Sequence, residues 1–120
     1  MEGKIPHCGE IWMAEIAKMG GSVQYGYRPV FIISNNKSNA GSTIVNIIPI
    51  TSKVRKRSPV HVDIFDYWKF GLKMPSMLLI EQIMTVSSES LDRKIGYIDD
   101  AAILKDIRDA MSIQFPLIMS

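Results

Sequence analysis

Apolar residues along this chain fall mostly in short runs of strand length, separated by clusters of Gly, Asn, Ser and Pro. Glu10 to Ile16 predicts a strand, with Ile11 and Met13 on one face and Trp12 on the other, because successive strand side chains point to opposite sides. The paired glycines in Lys18 to Gln24 predict a loop. Val30-Phe31-Ile32-Ile33 is a β-branched and aromatic run and predicts a second strand, with Pro29 at its start, where a missing amide donor is tolerated. Ser34 to Ser42 predicts a turn region. Thr43 to Thr51 predicts a third strand in which Pro49 calls for a bulge or an edge. Val60 to Ile64 alternates with period two, and Ser76 to Val86 holds a fifth strand around Met77 to Ile80. Ser87 to Leu91 suits one helical turn, and Arg93 to Ile98 is extended.

The period changes once. From Asp99 onward Ile103, Ile107, Ala110, Met111 and Gln114 follow helical spacing, with Asp99 or Asp100 as the cap and Pro116 as the stop. About six strands and a terminal helix imply a mainly β chain, a small, strongly bent barrel with a C-terminal helix. No repeat or linker divides it, so residues 1–120 read as a single domain.

Composition narrows the chemistry. With 47% hydrophobic and 22% charged residues the chain has ordinary globular makeup, which excludes a disordered one. Cys8 is the sole cysteine, so no internal disulfide forms, and with only His7 and His61 beside it a Cys/His zinc site is not expected. No apolar run approaches the roughly 20 residues of a membrane helix, and no signal core opens the chain, so a cytoplasmic protein is expected. The net charge of +2 hides an asymmetry: residues 1–73 carry ten cations and five anions, residues 74–120 four cations and seven anions. A basic first part suits a polyanionic partner.

No Walker-type phosphate loop, nucleophile elbow or carboxylate cluster for magnesium occurs, so no cofactor or metal is expected. Chemistry would fall to hydroxyls, guanidinium groups or single acids. Arg28, held extended by the proline after it, offers a donor fork for phosphate or is a surface arginine beside a strand. Thr51 and Ser52 end the third strand and either bind an anion or close the strand. Lys53, Arg55, Lys56 and Arg57 crowd one loop that tracks a phosphate backbone or is simply solvated. Gln82 suits a base edge. Glu81 suits proton transfer or an ion pair with Arg28, while Ser76 precedes the same apolar run. Trp12, Tyr25, Tyr27 and Trp68 stack on bases or fill the barrel.

Taken in order, these segments resemble the MazF/PemK (Kid) family of bacterial toxin endoribonucleases. The resemblance rests on Gly9-Glu10-Ile11-Trp12, Gly26-Tyr27-Arg28-Pro29-Val30 with Ser34-Asn35-Asn36, Ile50-Thr51-Ser52, His61-Val62-Asp63-Ile64, and Ser76-Met77-Leu78-Leu79-Ile80-Glu81-Gln82-Ile83. It implies an SH3-like barrel that forms a homodimer. It also implies metal-independent cleavage of single-stranded RNA at short motifs, leaving a 2′,3′-cyclic phosphate and a 5′-hydroxyl. The family's catalytic arginine and threonine fall on Arg28 and Thr51. Its RNA contacts fall on Gln24, Tyr27, Ser76, Glu81 and Gln82, and its mobile covering loop on Lys53, Arg55 and Arg57. A cognate MazE-like antitoxin with an acidic tail is the implied protein partner. Val23 and Met84 stand where the family often has an acidic residue and an arginine, which points to a different base preference. The alternative is a toxin of the same barrel that binds and inhibits gyrase without cutting nucleic acid, using the terminal helix.

Overall fold

A computed structural model describes residues 5–53 and 56–119 of the chain. Seven strands are present among them: β1 (Glu10–Ile16), β2 (Gly26–Ile32), β3 (Ile44–Thr51), β4 (His61–Ile64), β5 (Ser76–Leu79), β6 (Met84–Ser87) and β7 (Leu91–Tyr97). Helices are α1 (Asn36–Gly41), α2 (Ala101–Gln114) and α3 (Pro116–Met119), and short 3₁₀ turns span Tyr67–Phe70, Ile80–Gln82 and Ser88–Ser90. The strands run in the order β4-β5-β3-β2-β1-β7, with β6 also paired to β3, and the pairs are antiparallel. The mainly β barrel with a C-terminal helix is therefore present. Among the described residues no helix is long and apolar enough to cross a membrane.

β3 bends the sheet. One side of it pairs with β2 through residues 47–49. Its other side pairs with β6 through residues 44–47 and with β5 through Ile50 and Thr51. Pro49 falls between those two partners, where no neighbour needs its missing amide, so the proline marks a change of partner inside a central strand. Both faces of the strands that meet there are apolar. Ile11, Phe31, Ile48 and Ile50 enter one core with Leu78, Ile80, Ile98 and Ile107. Their sequence neighbours Trp12, Val30, Ile32, Val45 and Ile47 enter a second core with Leu91. Unbroken apolar runs such as Val30 to Ile33 are what a strand buried on both faces requires.

α2 closes the first core with Ile107 and Ala110 buried and Ile103 and Met111 half-buried. Asp100 caps it, one carboxylate oxygen accepting the amides of Ala102 and Ile103 at 2.9 and 3.0 Å. Two expectations change. The apolar segment 76–86 holds two strands, β5 and β6, with a 3₁₀ turn between them, making seven strands in place of about six. The Ser34 to Ser42 turn contains α1, capped by the Asn35 side chain, which accepts the Ser38 amide at 2.8 Å. The buried Asn39 amide anchors that helix by donating to the Pro6 and Ser34 carbonyls, a long-range tie invisible in the local pattern.

Candidate functional site: a cationic cleft

The start of β2 and the end of β3 lie side by side and open on a cavity of about 520 Å³. Its walls carry Arg28, Lys53, Lys73 and Arg93, together with Tyr27, Thr51, Ser52 and Ser76. Among the described residues no carboxylate lines it. The cleft is thus a concentration of positive charge and hydroxyl donors, suited to a polyanion.

Arg28 is aimed by its neighbours. Its Nε donates to the Tyr25 carbonyl at 2.9 Å, and one terminal nitrogen reaches the Ile50 carbonyl at 3.4 Å. The β2 register across from β1, in which Pro29 faces Met13 and Arg28 faces Ala14, fixes its backbone. Thr51 is only 4% exposed, and its hydroxyl oxygen accepts the Lys53 amide at 3.2 Å. Acting as acceptor there, the hydroxyl retains its proton as a donor. Two residues on different strands, far apart in sequence, therefore share one cavity.

Tyr27 and Ser76 join them in the lining. The Tyr27 hydroxyl donates to Asp92 at 2.6 Å, and this bond pushes the phenol above its ordinary pKa. Tyr27 stays protonated through the neutral range and ties the start of β2 to β7. Lys53 also lines an adjoining groove with Arg57, Phe65 and Met77, which shares Thr51, Ser52, Met74 and Ser76 with the main cavity. Arg57 stands at the far end, mostly exposed and 3.9 Å from Asp63. Arg55 lies outside the described residues.

The Glu81-Gln82 pair does something other than expected. Glu81 meets His61, Oε2 to Nε2 at 2.9 Å, so the partner is this histidine and not Arg28. Gln82 spends its side-chain amide on the loop between β1 and β2: its Oε1 accepts the Gln24 amide at 2.8 Å and its Nε2 donates to the Ser22 carbonyl at 3.0 Å. Gln24 is buried beside it. Gln82 thus braces the loop before Arg28, and neither glutamine is among the residues that line the cleft. Of the aromatic candidates, Trp12 is core, donating to Glu10 at 2.9 Å, while Tyr25, Tyr27 and Trp68 are exposed.

The residues that sequence reasoning missed are Lys73 and Arg93. Each lies in an ordinary local pattern, and only the fold brings them together. Gly71, at φ +80°, lies against the Ile95 backbone, and Gly96 lies against the Phe70 backbone; a Cβ on either would collide there. That glycine-on-glycine approach staples the segment leading to Lys73 onto β7, which carries Arg93.

Comparison with known proteins bears on the family and the fold. Residues 7–115 match the family described as PemK-like, MazF-like toxin of type II toxin–antitoxin system. The chain is 34% identical over 111 residues to Endoribonuclease EndoA of Bacillus subtilis, covering 92% of this chain and 94% of that one. It is also 34% identical over 110 residues to Endoribonuclease MazF of Staphylococcus saprophyticus, covering 91% and 90%. The solved structure of Mycobacterium tuberculosis toxin MazF-mt6 superposes with a TM-score of 0.74 at 26% identity, covering 89% of this chain and 96% of that one. Matched by the family over residues 7–115 and by relatives 34% identical across about nine-tenths of its length, the chain belongs to the PemK-like, MazF-like toxin family of type II toxin–antitoxin systems.

Proposed function

We propose that this toxin is an endoribonuclease that cleaves single-stranded RNA at short motifs, the substrate's own 2′-hydroxyl attacking the adjacent phosphate without a metal. The bond to the 5′-oxygen breaks as the new 2′-oxygen bond forms, leaving a 2′,3′-cyclic phosphate and a 5′-hydroxyl. The observation that carries this reading is the shared cavity of Arg28 and Thr51, walled by cations and hydroxyls.

The chemistry explains why so small a kit suffices. Attack builds negative charge on the non-bridging phosphate oxygens. Arg28 and Thr51 bind that charge more strongly in the transition state than in the substrate, which is what lowers the barrier. A guanidinium group, with a pKa above about 12, holds charge and does not remove protons at neutral pH. The carbonyls of Tyr25 and Ile50 hold Arg28 before substrate arrives, so little reorganisation accompanies the reaction. Lys53 carries the positive surface into the adjoining groove, where Arg57 stands beside Asp63, and draws in the RNA backbone. Tyr27 lines the cleft and is half exposed, so a base can stack on its ring.

The same positive cleft receives the acidic tail of a cognate MazE-like antitoxin, which blocks RNA by occupying its site. A homodimer, acting in the cytoplasm, completes the reading. The gyrase-binding alternative relied on the terminal helix. The relatives named endoribonuclease match across nine-tenths of the chain, and the family match spans both Arg28 and Thr51, which favours the nuclease.

The test is to incubate the purified chain with mixed RNA in chelator and sequence the 5′ ends. Cleavage at recurring motifs by substoichiometric protein is expected, and Arg28→Ala should slow it about 10²- to 10³-fold. Intact RNA would overturn the function, while activity in Arg28→Ala close to that of wild type would overturn the site.

A further inference from the structure

We propose that Lys73 and Arg93 form a second phosphate subsite, which takes the RNA phosphate next to the one held by Arg28 and Thr51. The inference deepens the nuclease reading and rests on it.

Four features carry it. A cavity of about 520 Å³ is far larger than a single phosphate needs. Its cations sit on different strands: Lys53 follows β3, Arg28 is on β2, and Arg93 is on β7, with β1 between β2 and β7. Adjacent strands are about 4.8 Å apart, so the β2 and β7 backbones that carry Arg28 and Arg93 are separated by roughly 10 Å, more than one phosphate group spans. The register sets Arg93 into the cleft wall, because Met13 of β1 pairs with Pro29, the residue after Arg28, on one side and with Arg93 on the other, and all three line the cleft.

The second wall is also built, not incidental. The Gly71 and Gly96 contact holds the Lys73 segment against β7. Tyr27 ties β2 to the same strand through Asp92, and the Arg93 guanidinium lies beside that hydroxyl. With no carboxylate among the described lining residues, the pair Lys73 and Arg93 faces a cavity that rewards an anion. Continuity with Arg28 and Thr51 favours the RNA backbone over an acidic peptide as the occupant.

The full chain, wild type and the Lys73→Gln/Arg93→Gln variant, is compared on a short RNA bearing a mapped cleavage site. Each phosphate flanking that site is replaced in turn by a neutral methylphosphonate. In wild type, one neutral position should raise KM about tenfold, the scale of a hydrogen bond to a charged group. The variant should show that higher KM on unmodified RNA, with kcat within about twofold, and should lose nothing more at the neutral position. Its slope of log affinity against log salt should be shallower by about 0.7, the increment for neutralising one phosphate fewer on a single strand. Thermal melting checks that the variant is folded; both replaced side chains are exposed.

Wild type indifferent to every neutral position would overturn the subsite. So would a variant with unchanged KM, or one that loses kcat alone. A variant that binds RNA normally but loses affinity for poly-glutamate would assign the wall to a peptide and overturn the proposal as well. Binding of a 2′-deoxy version of the oligonucleotide, with and without the neutral linkages, reads the subsite independently of cleavage. Failure of the nuclease reading and failure of the subsite therefore give different results.

Discussion

Two concave regions of this toxin have opposite electrical characters. The cleft at the ends of β2 and β3 gathers four cations and, among the described residues, no carboxylate. The groove between β4 and α2 is lined by Asp63, Asp66, Asp100, Asp106 and Asp109, with Arg57 and His61 as its cationic or titratable members. The segregation does not follow the two halves of the sequence. Asp63 and Asp66 belong to the basic first part yet line the acidic groove, and Arg93 belongs to the acidic second part yet lines the cationic cleft. Folding sorts charge by face. The acidic groove keeps polyanions off the α2 side by repulsion, and the cleft draws them to the opposite chemistry.

The difference between the regions also lies in how their side chains are held. Arg28 is fixed by two backbone carbonyls, and Thr51 is buried. In the acidic groove Asp109 reaches Lys105 at 2.8 Å on the exposed surface of α2, and Asp63 meets the exposed Arg57 at 3.9 Å. Exposed pairs of this kind contribute little rigidity. A preorganised site is one where mutation should cost activity; a solvated face should be indifferent.

Substitutions can break that contrast, the most damaging first. Arg28→Ala should lower kcat by about 10²- to 10³-fold, the scale of removing a preorganised donor from a transition-state anion. Steady-state cleavage of a short RNA measures it, and a loss no larger than that of an α2 aspartate would end the distinction. Thr51→Val keeps shape and removes the hydroxyl; about a tenfold to hundredfold loss in kcat is expected, and melting should remain close to wild type. Gly71→Ala should cost roughly 1–3 kcal/mol of stability, by forcing the Ile95 backbone away, and should weaken RNA binding with it. Urea unfolding and RNA titration together test whether the wall moves as one piece. Gln82→Leu should lower kcat/KM about tenfold, through a loosened Ser22–Gln24 backbone and not through any direct reading of a base. An unchanged preference among RNA motifs would sharpen that assignment, and an altered one would return Gln82 to base reading. Last, Asp106→Asn with Asp109→Asn should leave cleavage within about twofold at physiological salt, where exposed charges more than about 8 Å away are screened.

The sequence made much of this legible, and for identifiable reasons. Strand and helix positions followed from side-chain period, and Pro116 and Asp100 marked the ends of α2. Pro49 was visible as an anomaly, although its meaning was not: a bulge, an edge and a change of partner look alike in one dimension. Arg28 and Thr51 were singled out by the family resemblance, since a proline before an apolar run and the end of a strand fit an ordinary surface arginine and a strand-closing threonine equally well. Glu81 was misdirected because its partner depends on which strand β4 lies against, and β4 pairs with β5 so that His61 faces Leu79, two residues from Glu81. Lys73 and Arg93 carried no local mark at all, since neither the loop before β5 nor the middle of β7 departs from ordinary surface sequence.

The Gly71 and Gly96 staple has a consequence for how such a toxin can diversify. The two positions touch backbone to backbone, so neither can gain a side chain while the other strand stays where it is. Lys73 and Arg93, two and three residues away, are exposed and unconstrained by packing. Mutation can therefore rewrite the charge of that wall, and with it the strength of anion binding, while its shape stays locked.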